Sequence, residues 1–153
     1  MTPYETAVAG LADALETKLP LASDRLCDVE VDGRLIVLRP MGEAESSLTM
    51  FALVAKVPED AERADEIKTR ALSMNLFGSE TLGGHLGLFV GSIILSAPPI
   101  EATGLNAESF AEQLLVFSRF AGEVEKKLAG SAAPAAEEEA PSQLSPDNGF
   151  IAV

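Results

Sequence analysis

The strands of this chain come in hairpins, and that constrains its fold more than any other feature of the sequence. Cys27-Asp28-Val29-Glu30-Val31-Asp32 alternates apolar and acidic residues at period two, so it reads as a half-buried strand with Asp28, Glu30 and Asp32 on its wet face. Asp32-Gly33 supplies a tight turn, and residues 34–39 return as a more buried strand, with Pro40-Met41-Gly42 expected to break it. Residues 86–90 and 92–97 form a second pair around Gly91, closed by Pro98-Pro99. Residues 48–57 are apolar on both faces, which places them as a central strand. Turns this short join only antiparallel neighbours.

Three helices surround these hairpins in sequence. Thr2-Pro3-Tyr4-Glu5 combines cap, first-turn proline and a glutamate three residues after the cap. Tyr4, Val8, Leu11, Leu15 and Leu19 follow as one apolar stripe, which Pro20 is expected to stop. Pro58-Glu59-Asp60 opens a second helix with Asp60 as cap and a narrow inner face of Ala64, Ile67, Ala71 and Met74 or Asn75. Leu76-Phe77-Gly78 ends it. Asn106 caps a third helix whose inner face is Phe110, Leu114, Phe117, Ala121, Val124 and Leu128, widened by Val116 and Phe120. The order is α-β-β-β-α-β-β-α. Hairpins with helices set apart from them imply an α+β domain, an antiparallel five-stranded twisted sheet with three helices, and exclude a doubly wound parallel sheet.

The 153 residues suffice for one such domain. We place it at residues 1–129. Residues 130–153 hold Pro134, Pro141, Pro146 and the run Glu137-Glu138-Glu139, with no basic residue, and read as a disordered acidic tail. The net charge of −13 opposes binding to nucleic acid or to acidic membrane surfaces. No apolar run approaches a bilayer span, and no charged segment precedes an apolar one at the start as in a signal peptide. A single cysteine, Cys27, fits a reducing cytoplasm, and a single histidine, His85, leaves no Cys/His zinc set.

The remaining candidates for chemistry each have a plainer reading. The loop Gly78-Ser79-Glu80-Thr81-Leu82-Gly83-Gly84 is glycine-rich, yet it follows a helix, enters a strand and lacks the lysine of a phosphate loop. Its glycines serve turns. His85 has no nucleophile beside it in sequence and reads as structural, and Cys27 reads as a buried thiol. Asp28, Glu30 and Asp32 suit a solvated face better than a hard-cation site, because strand spacing supplies no closing ligand. No catalytic residue, cofactor or metal site is assigned. Apolar surface, in contrast, is in excess. Three amphipathic helices and strands apolar on both faces exceed what one side of a five-stranded sheet can bury, which implies a self-associating or partner-binding surface.

The stretch from Ala71 through Asn75-Leu76-Phe77, the glycine loop and Leu86-Gly87-Leu88 resembles the class I chaperones of bacterial type III secretion, the family of the Tir chaperone. Ile93-Ile94-Leu95-Ser96, Pro98-Pro99-Ile100 and the last amphipathic helix follow in the family's order, so the resemblance spans about residues 2 to 129. The turn at Phe89-Val90-Gly91 is shorter and less acidic than the family's usual one. The resemblance implies a non-enzymatic cytoplasmic homodimer, without cofactor, that binds an extended segment near the amino terminus of a secreted effector. The ATPase of the export apparatus is a further candidate partner. It implies a dimer interface on the second helix and fourth strand, carried over to Ile67, Ala71, Leu72, Leu86, Leu88 and Val90. It implies an effector surface on the first helix and early strands: Val8, Leu11, Leu15, Val29, Leu35 and Val37. From the residues alone these twelve could equally be core. A regulatory or scaffold module of the same fold outside secretion, and a small carboxylate enzyme, remain the competing classes.

Overall fold

A computed structural model of the chain describes residues 1–129. The acidic tail assigned to residues 130–153 lies outside the described residues. The elements are α1 (Pro3–Ala14), β1 (Cys27–Val31), β2 (Arg34–Met41), a short 3-10 turn (Glu43–Glu45), β3 (Ser47–Lys56), α2 (Ala61–Asn75), β4 (His85–Phe89), β5 (Ser92–Ser96), β6 (Ile100–Glu101) and α3 (Ala107–Ala129). The strands form one antiparallel sheet in the order β1-β2-β3-β5-β4, and the two-residue β6 adds a sixth member beside β3. The expected α+β architecture is present, with β3 central as its two apolar faces require.

Local chemistry explains most boundaries. The capping box is complete: the Glu5 N–H donates to Thr2 Oγ1 at 3.1 Å and the Thr2 N–H donates to Glu5 Oε1 at 2.8 Å. Asp60 and Asn106 cap α2 and α3 by accepting from the N–H groups of Arg63 and Ser109. In the β1–β2 turn both Asp32 and Gly33 take positive φ, as a two-residue hairpin of matching twist demands, and Val90 and Gly91 repeat this between β4 and β5.

Three boundaries differ from expectation. The first helix stops at Ala14, not at Pro20. Glu16 turns into left-handed backbone at φ 52, and the Thr17 and Glu16 N–H groups return to the carbonyls of Ala12 and Asp13. That is a Schellman closure without its usual glycine. Second, Pro40 does not break its strand but pairs with Leu48. The last β1–β2 pair is Cys27 with Leu38, so one edge of Pro40 has no strand in need of its missing N–H. Third, Pro98-Pro99 closes the hairpin, yet the chain then re-enters the sheet as β6.

α1 and α3 pack against each other and on one face of the sheet, with α2 beside β4 and the end of α3. The core lies between them. Tyr4, Leu11, Ile36, Leu38, Leu48, Leu95, Phe110, Leu114 and Leu128 are its largest fully buried members. All six predicted inner-face residues of α3 are buried. A latch closes the open end of α1, where the Arg25 guanidinium pairs with Glu45 and Glu5, and the Thr2 hydroxyl donates to Glu45. The pairing with Arg25 holds Glu45 below its usual range; the Thr2 N–H, then Arg25, does the same for Glu5.

Candidate functional site

The residues with chemical potential are spent on structure or face solvent singly. Cys27 is buried, and that burial, with Asp28 nearby, raises its thiol pKa away from the reactive thiolate. His85 is exposed at the start of β4, and Asp28, Glu30 and Asp32 are exposed. Among the described residues no group of three or more His, Cys, Asp and Glu side chains is placed to hold a metal ion. In the glycine loop, Gly78 and Gly83 take positive φ, whereas Gly84 answers to space: a Cβ there would run into the Ser96 carbonyl. The Thr81 hydroxyl donates within this turn, 2.8 Å from the Gly84 carbonyl.

Two apolar surfaces stand out instead. The first is the sheet face turned away from the helices. Because side chains alternate along a strand, Ile36, Leu38, Met50, Ala52 and Val54 enter the core, and Leu35, Val37, Phe51 and Leu53 must point the other way. No described helix covers that side. One row across it reads Asp28, Val37, Phe51, Ser96 and His85, each paired with the next across five strands. A second places Glu30 beside Leu35, and Leu53 beside Ile94. The centre of the face is thus hydrocarbon and its β1 side acidic. Leu35 is 54 % exposed and Leu53 45 %.

The second surface is the cleft between α2 and the edge strand β4, about 190 Å³, lined by Ala71, Leu72, Asn75, Leu86, Leu88 and Ile93. Asn75 builds it. Its Oδ1 accepts from the Leu86 N–H at 2.7 Å and its Nδ2 donates to the Leu86 carbonyl at 2.9 Å. One amide side chain therefore occupies the sheet edge as a strand would, and fixes α2 there. Leu72, Leu76, Phe77, Leu88, Phe89 and Val90 remain exposed around it.

The structure divides the twelve carried-over residues. Val8, Leu11 and Val29 are packed in the core, because α1 and β1 turn them toward α3 and the sheet, so they offer no surface here. Leu15 caps α1 and is exposed, Leu35 is exposed, and Val37 is half-buried, the last two on the bare sheet face. Ala71 and Leu86 are buried and Ile67 packs on the core, whereas Leu72, Leu88 and Val90 are exposed at the α2–β4 edge. Phe51, Leu53 and Ile94 complete the sheet face and were not singled out from sequence. Their signal was available in the two-sided apolarity of the central strands.

A family model, the Tir chaperone protein (CesT) family, matches residues 6–122. The chain belongs to that family. Solved structures agree on the fold at low identity. The CesT-family chain matches the structure described as the ExsC–ExsE complex with a TM-score of 0.61 and 20 % identity, covering 84 % of this chain and 97 % of the other. It matches the Yersinia pestis type III secretion chaperone SycH, solved with a stable fragment of YscM2, at a TM-score of 0.53 and 16 % identity over 77 % and 96 %. It also matches the heterodimeric ExoU–SpcU complex of the Pseudomonas aeruginosa type III secretion system at 0.54 and 15 % over 80 % and 94 %. No curated protein gives a significant sequence match. Among the described residues no helix is long and apolar enough to cross a membrane.

Proposed function

We propose that this CesT-family chain is a type III secretion chaperone. It holds an extended, non-globular segment of a secreted effector in the cytoplasm, stoichiometrically and without turnover, nucleotide or metal. The observation that carries the reading is the bare sheet face, where apolar side chains of the central strands stay wet for want of a covering layer. An extended partner can bury its own apolar side chains on Leu35, Val37, Phe51 and Leu53. Among the described residues no strand lies on the outer edge of β1, so an added strand can pair there and main-chain hydrogen bonds supplement the apolar contact. The acidic rim and the net charge keep the loaded complex soluble. The α2–β4 cleft, with Leu72, Leu88 and Val90 exposed on an edge already clamped by Asn75, forms the homodimer interface. The family's membership and solved complexes with partner proteins support the same reading.

Calorimetry against the amino-terminal region of a co-encoded secreted protein tests it. Binding should show a negative heat-capacity change and survive high salt, because burial and not charge drives it. Leu35→Thr and Leu53→Thr, strand-compatible changes at exposed positions, should weaken binding at least tenfold with a nearly unchanged melting curve. Undiminished binding by both variants, or binding only to the partner's folded domain, would refute the assignment of this face.

A further inference from the structure

We propose that a third apolar surface, the groove beside α3, is covered by a segment of this same chain, Phe150-Ile151-Ala152-Val153. The groove measures about 370 Å³ and runs between the outward side of α3 and the loops flanking the β4–β5 hairpin. Leu82, Pro98, Ile100, Val116, Phe117 and Phe120 line it, and Glu112 and Gln113 stand at its rim. Val116 is 57 % exposed and Leu82 62 %, so these side chains flank hydrocarbon that no other described residue covers.

Composition and reach select the occupant. Across residues 130–153 the large apolar side chains are Leu144 and then the cluster Phe150, Ile151 and Val153. Residues 130–149 separate that cluster from α3 and are rich in alanine, proline and glutamate. A glycine-like coil of twenty residues spans roughly 22–27 Å root-mean-square, and proline and like charges lengthen that span. Rising about 1.5 Å per residue, α3 carries Phe120 and Val116 back from Ala129 by about 14 and about 20 Å. The tether is thus long enough to bring the cluster to the groove, and an intramolecular segment of this length has an effective concentration on the order of millimolar. A segment with only millimolar affinity then fills the groove about half the time. Charge adds direction. Exposed Lys126, Lys127 and Arg119 lie along α3 on the way back, and Glu137, Glu138, Glu139 and Asp147 lie in the tether. Lys127 also meets Glu80 at 3.7 Å, and Glu112 and Glu123 oppose the acidic tether, so the apolar contacts carry the docking.

The test uses the full chain with a nitroxide at Asn148→Cys, Cys27 being buried and unreactive to the label. Docking should broaden the resonances of Leu82, Val116, Phe117 and Phe120 selectively. The broadening should vanish in a Phe150→Asp, Ile151→Asp double variant and in Val116→Asp, whose exposed position tolerates the change. It should be absent when labelled isotope-free chain is mixed with unlabelled isotope-enriched chain. Uniform or absent broadening overturns the proposal. Broadening that persists in the mixed sample also overturns it, because the segment of another copy would then be the occupant.

Discussion

Replacing Asn75 by alanine should destabilise the fold far more than a half-exposed polar residue at a helix end normally would. The substitution deletes both bonds to Leu86, at 2.7 and 2.9 Å, on the outer edge of β4. Two such bonds are worth about 1–3 kcal/mol net, and up to ~6 kcal/mol if both orphaned backbone groups stay dry. Gly87 is exposed and an added Cβ there meets nothing within 4 Å, so water reaches the carbonyl side. Leu86 itself is only 6 % exposed, which leaves its N–H partly shielded. We therefore expect a loss of about 2–3 kcal/mol, or roughly 6–12 °C in Tm. Urea unfolding at fixed protein concentration measures it, concentration being held because the proposed self-association would add to apparent stability. Asn75→Leu, similar in size but unable to bond, should lose as much as alanine. If both variants unfold within about 0.5 kcal/mol of the parent, outside the range such a loss would give, Asn75 is not the clamp of this edge.

With the proposed homodimer formed through the α2–β4 cleft, Leu88→Asp should separate it and leave the protomer folded. Burying the exposed 59 % of that leucine is worth about 1–2 kcal/mol per protomer, counted twice in a two-fold interface, so Kd should rise roughly a hundredfold. Light scattering after size exclusion reads this out, and a persistent dimer would move the interface elsewhere. Gly84→Ala forces backbone to yield at Ser96 and should cost about 1–3 kcal/mol, whereas Gly87→Ala, with open space, should melt as the parent does. The Arg25 latch predicts acid sensitivity. Glu5 and Glu45 titrate lower in the folded chain, so their contribution is complete above the ordinary carboxylate range, near pH 4.3, and drains away as pH falls through their folded values. The stability difference between parent and Arg25→Met, followed by thermal melts from pH 7 to 3, should therefore shrink toward acid. A constant difference would mean the latch is not ionic.

What could be read from the sequence was what local periodicity encodes. The inner face of α3, the capping box at Thr2, the Asp32-Gly33 turn and the central place of β3 each follow from a few neighbouring residues. The misses all needed information from elsewhere in the fold. α1 ends where Glu16 accepts a left-handed conformation that composition does not advertise, while the apolar stripe runs on through Leu15 and Leu19. Pro40 is tolerated only because β1 has already ended. Val8, Leu11 and Val29 could not be told from Leu35 and Val37, since every one is apolar and correctly spaced. The side on which α1 and α3 settle decides between them, and that is a tertiary fact.

Parity along the central strands carries a last consequence. In β2 and β3 the even-numbered residues Ile36, Leu38, Met50, Ala52 and Val54 build the interior, and the odd-numbered Leu35, Val37, Phe51 and Leu53 do not. Two messages are interleaved in one stretch of chain, and each can be rewritten without editing the other. Drift at these odd positions can retarget the face at small cost in melting behaviour, and drift at even positions erodes folding without altering what the face displays. A library of strand-compatible residues at 35, 37, 51 and 53 alone would accordingly vary in appetite far more than in stability.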